Sequence, residues 1–292
     1  MTSDGYAPDN DVLAAPMNAL LRHPKFDAAA LSYVENVIEW RKGLGRFNRV
    51  GTNLGFHIIN YTMYLDFAGR TGANDHGATY SALLEICENR GQCGSRALRT
   101  ILALLSVLGH LQTDQSRSDK RIRAYVPSQR LVREATDIYS YAMGVIDELK
   151  PGTGYRRTIE SDPQFLWHII STSGRAIIED DVRITEHFPQ LHDIISRAGG
   201  LPTSISLAHA QMLNLPSPPS REIARSFSIS VSQVRAVMNA LDDAELIIRA
   251  PDGTIEDASR LVAEHKGLIA RELALHVKYA LGLEHHFLAA AA

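Results

Sequence analysis

Cysteine is scarce in this chain, which has only Cys87 and Cys93 among its 292 residues. No Cys-His zinc spacing is present, and a chain of this length can bury hydrophobic cores without disulfides or metals. Long apolar runs are absent too, since the longest, near residues 101–105, is far too short to span a bilayer. The first ten residues are polar and acidic and lack the apolar core of a signal peptide. We therefore expect a cytoplasmic protein with no membrane partner.

Catalytic and cofactor motifs are also lacking. There is no nucleophile elbow and no Walker loop, and the Gly152-x-Gly154 pair lacks the third glycine and the preceding strand of a phosphate-binding loop. His187 and His192 are spaced one residue too widely for a metal-binding pair on one helical face, and Pro189 interrupts the interval. The sequence therefore predicts a binding protein rather than an enzyme, with no metal and no cofactor.

An amphipathic helix is predicted over residues 94–111. Its apolar side chains recur at three- and four-residue spacing: Leu98, Ile101, Leu102, Leu105 and Leu108. The opposite face is small and basic: Arg96, Arg99, Thr100 and Ala103. Such a helix can lie in a DNA major groove. A polar, basic stretch and a short strand follow, in the order typical of a winged helix; the alternative is a core helix followed by a solvated hairpin.

The same pattern recurs later in the chain. Residues 232–247 align with residues 96–111 without a gap, so Arg235 replaces Arg99 at an offset of 136. Residues 260–264 match residues 130–134 at an offset of 130, which predicts a second wing six residues shorter than the first. Internal similarity in this order indicates a duplicated module.

The second copy resembles a known family. Its Glu222-Ile223-Ala224 element, Ser-containing turn, Val234-Arg235 helix and Leu246-Ile247 strand are similar to the helix-turn-helix of winged-helix bacterial transcription regulators, of MarR-type and related groups. The resemblance covers about residues 217–261 and, more loosely, about residues 52–133. It implies a DNA-binding regulator.

We therefore predict a mainly α fold with small β wings, in which two tandem winged-helix domains are joined by long helices. The predicted segments are an N-terminal tail and helix (1–51), a first winged helix with its closing long helix (52–150), a helical linker (151–200), and a second winged helix with its closing helix and tail (201–292). We expect residues 1–16 to be frayed. We expect Ser161 to cap the helix that has Pro163 near its first turn, and the last long helix to cover residues 261–283. The first helix of each module is expected to end in a Met-containing turn. The apolar stripes of the closing helices favour a homodimer, or an intramolecular pseudo-dimer in which the two copies pair.

The predicted function is sequence-specific binding of double-stranded DNA. In the first module the predicted contacts are Ser95, Arg96, Arg99 and Thr100 on the helix and Arg117, Lys120, Arg121 and Arg123 on the wing. In the second they are Ser232, Gln233, Arg235 and Asn239. Although the chain has a net charge of −3, residues 90–133 hold nine bases and two acids, while residues 221–260 hold five bases and seven acids. The first module is therefore expected to make the main DNA contact.

Several alternatives stay open at this point. The tandem modules could instead form a protein-interaction scaffold of the chromosome-segregation type or a plasmid-type replication initiator. Cys87 and Cys93 are either two structural thiols or a redox pair near a helix N-terminus. Four aromatics of the segment 53–67 are either core residues or a ligand cage: Phe56, Tyr61, Tyr64 and Phe67. The sequence identifies no small-molecule effector.

Overall fold

The computed structural model describes residues 11–49, 52–72, 77–114 and 123–290. Over these residues it is mainly helical, with two small antiparallel sheets of two strands each. This confirms the prediction of a mainly α chain with small β elements. None of the described helices is long and apolar enough to cross a membrane.

The first module contains three helices, a hairpin and a closing helix. Its elements are α3 (Asn53–Arg70), α4 (Tyr80–Asn89), α5 (Ser95–Val107), β1 (Leu111–Asp114), β2 (Ala124–Pro127) and α6 (Gln129–Leu149). An isolated bridge joins Thr79 to Ala124, and the Tyr125 amide donates to the Ala78 carbonyl at 2.8 Å, so the start of α4 is tied to the hairpin. Helix α3 passes through Met63 and continues to Arg70, so the predicted Met-containing turn is wrong for this module.

The second module repeats the same order. Its elements are α10 (Gly200–Met212), α11 (Ser220–Ser226), α12 (Val231–Asp243), β3 (Ile248–Arg249), β4 (Ile255–Asp257) and α13 (Ser259–Leu275). Helices α5 and α12 both have 13 residues, and their bounds differ by the predicted 136 positions. The starts of α6 and α13 differ by the predicted 130 positions.

The turn after each repeated helix shows that the two copies agree in backbone detail. The His110 amide donates to the Leu105 carbonyl at 2.9 Å, and the Leu246 amide donates to the Leu241 carbonyl at the same distance. One residue earlier in each turn the backbone is left-handed, with φ of 75° at Gly109 and 55° at Glu245. Glycine adopts this conformation without strain, whereas glutamate does not.

The other elements pack on both modules. They are α1 (Ala14–Arg22), α2 (Phe26–Gly43), a 3₁₀ turn (Gly45–Arg49), α7 (Tyr155–Ser161), α8 (Pro163–Ile178), a second 3₁₀ turn (Thr185–His187), α9 (Pro189–Ile195) and α14 (Glu284–Ala290). Helix α2 packs against α6 and α10, α8 against α3, and α9 against α10 and α12. The buried apolar residues form one continuous cluster from α1 to α14.

Three predicted helix boundaries are wrong. Helix α1 begins at Ala14 and buries Pro16, so the frayed tail cannot extend to residue 16; residues 1–10 lie outside the described part. Helix α8 is capped by Asp162, whose carboxylate accepts from the Gln164 amide, because Pro163 occupies the first helical position and makes the preceding residue the cap. Helix α13 ends at Leu275 and passes into a π-helix (His276–Ala280) rather than continuing to residue 283.

The apolar stripe of α13 is covered within the chain. Leu261, Ile269, Leu273 and Val277 are all at most 5% exposed, and Leu268 is partly buried against the same cluster. The helices that pack on α13 are α1, α2, α9 and α10. The stripe therefore does not need a second chain to cover it, and the homodimer stays a prediction.

Candidate nucleic-acid interface

Helix α5 has one buried face and one exposed face. Leu98, Leu102 and Leu105 are at most 2% exposed and anchor the helix to the core. On the other side Arg96, Arg99 and Thr100 are exposed, and Ser95 is half-buried at the first helical position. The structure therefore brings the four predicted helix residues together on the first two turns of α5.

Tyr80 of α4 positions part of this surface. Its hydroxyl donates to Ser95 Oγ at 2.8 Å and accepts from Arg99 Nε at 3.3 Å. The Arg99 guanidinium carbon lies 5.4 Å from the Tyr80 ring centre, a cation–π geometry. The Thr100 hydroxyl donates to the Arg96 carbonyl at 3.0 Å, an internal helix contact. Sequence reasoning missed Tyr80, because nothing in the spacing of residues 80 and 99 indicates that two separate helices meet there.

The hairpin that follows α5 is described only in part. Arg117, Lys120 and Arg121 lie outside the described residues, and their role stays a prediction. Arg123 is exposed and directly precedes β2, which pairs with β1 from Asp114↔Ala124 to Leu111↔Pro127. One predicted wing arginine therefore lies at the loop end of the paired strands that follow α5.

The basic charge of this region is smaller at the surface than in the sequence. The Arg90 side chain is 5% exposed and forms an ion pair with Asp181 at 2.9 Å, so its charge does not contribute to the exposed basic surface. Arg130 donates to the Leu108 carbonyl at 3.1 Å and to Glu134 Oε1 at 2.8 Å, which ties it to the end of α5. The count of nine bases in residues 90–133 therefore overstates the bases available to DNA.

The front of α12 is engaged in bonds within its own module. Gln233 completes a capping box with Ser230. The backbone N–H of Gln233 donates to Ser230 Oγ at 3.1 Å, and Gln233 Oε1 accepts from the backbone N–H of Ser230 at 2.9 Å. Asn239 Oδ1 accepts from Arg249 Nη1 at 3.1 Å, and Arg249 also donates to Asp242 Oδ2 at 2.6 and 3.0 Å. Ser232 and Arg235 are exposed. Ser232 Oγ lies 2.9 Å from Ser230 Oγ, so three of the four predicted residues in this module have hydrogen bonds within it that compete with base recognition.

The two cysteines lie together at the turn before α5. Burial, and then the neighbouring Cys93, raise the pKa of the Cys87 thiol to about 12. A thiol with so high a pKa is a poor nucleophile at neutral pH. This favours the structural interpretation of Cys87.

His187 and His192 have separate surroundings. His187 Nδ1 lies 3.6 Å from Asp11 Oδ2, while His192 Nδ1 lies 2.9 Å from Thr185 Oγ1. Over the described ranges, no three His, Cys, Asp or Glu side chains are grouped so as to hold a metal ion.

The chain was compared with protein-family models, curated proteins and solved structures, and none of the three comparisons finds a match.

Proposed function

We propose that the chain regulates transcription by binding duplex DNA through two tandem winged helices, with α5 as the recognition helix of the main contact. The observation that carries this proposal is the exposed front of α5. It presents Arg96, Arg99 and Thr100 to solvent, next to a hairpin that carries Arg123 at the loop end of its paired strands. Arginine can bind guanine bidentately in the major groove, and wing arginines can neutralise phosphates.

The tandem arrangement is supported by the repeated order of elements. Each module has three helices, a two-stranded hairpin and a closing helix, and the turn after the third helix has the same backbone hydrogen bonds in both. In a helix-turn-helix the recognition helix enters the groove with its N-terminal residues against the bases. The predicted contact residues of α5 lie at its N-terminal end.

The difference between the modules favours the first one as the main contact. The second hairpin has an exposed acidic tip with Asp252, and Glu256 is exposed on β4. Its one arginine in β3, Arg249, is paired with Asp242. An acidic hairpin placed against phosphates would oppose binding, because affinity for DNA comes largely from phosphate neutralisation.

The proposal is tested by titrating a fluorescein-labelled duplex of mixed genomic sequence with the full chain and following anisotropy at several salt concentrations. We expect binding whose logarithm falls linearly with the logarithm of salt, with a slope of about −0.9 for each neutralised phosphate. Arg123→Ala should flatten the slope by about 0.9, and Arg121→Ala with Arg123→Ala by about one to two units. The control is Arg22→Ala, an exposed arginine at the end of α1.

Lack of binding to duplex DNA at about 50 mM salt would contradict the proposal and favour a protein-interaction scaffold. Equal slopes for the native chain and Arg123→Ala, with DNA binding intact, would remove the hairpin from the interface.

A further inference from the structure

A partly enclosed cavity of about 250 Å³ lies among helices of both modules. Its walls come from α2, from α3 and α6 of the first module, from α8, and from α10 and α13 of the second. Much of the lining is apolar, including Ile138, Ile170 and Ile205. The cavity is independent of the proposed DNA surface on α5, none of whose residues lines it.

Unsatisfied polar atoms are concentrated around this cavity. In the described part of the chain eight buried side-chain nitrogen or oxygen atoms have neither a hydrogen-bond partner nor an ion-pair partner. Five of them belong to residues that line the cavity: Trp40 Nε1, Arg41 Nε, His57 Nε2, His265 Nε2 and His276 Nε2. A buried polar group without a partner destabilises the folded state, so native proteins have few of them. Five around one cavity indicate a site built for a polar ligand.

Arg41 is the positively charged side chain of the lining. It is 2% exposed, and no carboxylate of the described residues lies within ion-pair distance of it. Its Nη1 donates to Asn48 Oδ1 at 3.3 Å, and its guanidinium carbon lies 4.3 Å from the Phe56 ring centre. The other fully buried arginine, Arg271, donates to both carboxylate oxygens of Asp11 at 2.7 and 2.9 Å. Buried charges are normally paired in this second way.

Among the described residues of the lining, no other titratable group forms an ion pair with Arg41. Burial raises the pKa of the Glu272 carboxyl, which favours its neutral form, and Tyr33 donates to Glu272 Oε2 at 3.1 Å. Burial lowers the pKa of His57, His265 and His276 to about 4, which keeps them neutral at pH 7. Burial raises the pKa of the phenols Tyr33 and Tyr139 as well, and it lowers the pKa of Arg41 only to about 9. Arg41 therefore stays charged at neutral pH and can pair with an anion in the cavity.

We propose that this cavity binds a small organic carboxylate, whose anionic group pairs with Arg41 and accepts from the Trp40 N–H, and whose aromatic or aliphatic body packs among the isoleucines. Trp40 and Arg41 are adjacent on α2, with the guanidinium carbon 5.7 Å from the indole ring centre. The size fits, since an apolar cavity of about 150 Å³ holds benzene, and this one has room for a ring and a carboxylate-bearing side chain.

A ligand in this place contacts both modules. His276, one of its polar groups, is the first residue of the π-helix His276–Ala280 that follows the closing helix of the second module. Short π-helical segments are frequent at functional sites. On the other side the ligand meets Phe56 of the first module, which assigns this residue of the aromatic-rich helix α3 to the lining of a ligand site.

The test uses three probe carboxylates, benzoate, 3-phenylpropionate and octanoate, each beside its neutral amide, in calorimetric titrations of the full chain. We expect saturable one-to-one binding of at least one carboxylate and at least about tenfold weaker binding of its amide, because hydrogen bonds to charged groups are worth more than neutral ones. Arg41→Met should weaken carboxylate binding by at least about tenfold. The matched control is Arg70→Met, which removes an arginine packed over Trp167, outside this cavity.

Two further measurements test whether the carboxylate binds inside the cavity. The chain has two tryptophans, so in a Trp167→Phe background the fluorescence of Trp40 reports binding in the cavity. Ile170→Phe, which fills the cavity, should abolish both the fluorescence change and the heat, with folding checked by circular dichroism. The proposal would be overturned if none of the three carboxylates bound saturably. Equal carboxylate affinities of the native chain and Arg41→Met would also overturn it. An unchanged Trp40 signal at saturation would overturn it as well.

Discussion

His265 and His276, which are buried, and His57, which is partly buried, should make this protein sensitive to acid. Burial is the first cause that lowers the pKa of His57, His265 and His276 from 6.5 to about 4, and for His265 and His276 it is the sole cause. In the unfolded chain these groups titrate near 6.5. Between pH 6.5 and pH 4 the unfolded state therefore binds more protons than the native state, so the free energy of unfolding falls as pH falls.

The size of the effect follows from the shift. At pH 5 the unfolded imidazole is almost fully protonated and the native one is mostly neutral, which costs about 2 kcal/mol for each histidine. Three such groups remove about 6 kcal/mol, which is comparable with the whole stability of an ordinary domain, about 5–15 kcal/mol. Below pH 4 the native groups titrate too, and the loss levels off.

The assay is urea unfolding followed by circular dichroism from pH 8 to pH 4.5, on the native chain and on His265→Gln. Because the variant lacks one of the three groups, its free energy of unfolding should fall by about 2 kcal/mol less than that of the native chain between pH 7 and pH 5. His285→Gln, at an exposed position, is the matched control. Parallel pH profiles for the native chain and His265→Gln would refute the reasoning, as would equal changes of slope in both variants.

Two further predictions concern single positions. Glu245→Gly should raise the free energy of unfolding by about 1 kcal/mol, because Glu245 has a φ of 55° that glycine adopts without strain. Gly109→Ala, at the equivalent position with a φ of 75°, should lower the free energy of unfolding by about the same amount. Thermal unfolding measures both changes, and effects of the same sign would contradict this expectation. Arg271→Met should cost about 3–5 kcal/mol because it leaves the Asp11 carboxylate buried and unpaired, whereas Arg41→Met should stay within about 1 kcal/mol of the native chain. Urea unfolding checks this pair, and equal losses at both positions would show that Arg41 has a counter-charge of its own.

The repeated helices could be predicted from the sequence because their pattern is local. The apolar spacing of α5 and its recurrence in α12 fixed the offset of 136, and the structure places both helices at that offset with the same face buried. These signals depend on neighbours three or four positions away, which a helix brings together whatever the rest of the chain does.

The cavity could not be predicted, since its polar groups come from distant parts of the chain. Arg41 and Glu272 line one space, yet 231 positions separate them, and no spacing rule connects two helices that meet only through tertiary packing. The ion pair of Arg90 with Asp181 was missed for the same reason, so the charge of the first module was overstated. Asn239 looked available for adenine, but Arg249 reaches it from the neighbouring strand β3.

The central claim is that α5, rather than α12, makes the main DNA contact. Its most direct test is the matched pair Arg99→Ala and Arg235→Ala, since both arginines are exposed and occupy equivalent positions on helices of equal length. Affinities for the same labelled duplex at one salt concentration should fall by about 1–3 kcal/mol for Arg99→Ala and much less for Arg235→Ala. Equal losses would mean that both modules bind DNA, and a loss confined to Arg235→Ala would contradict the account.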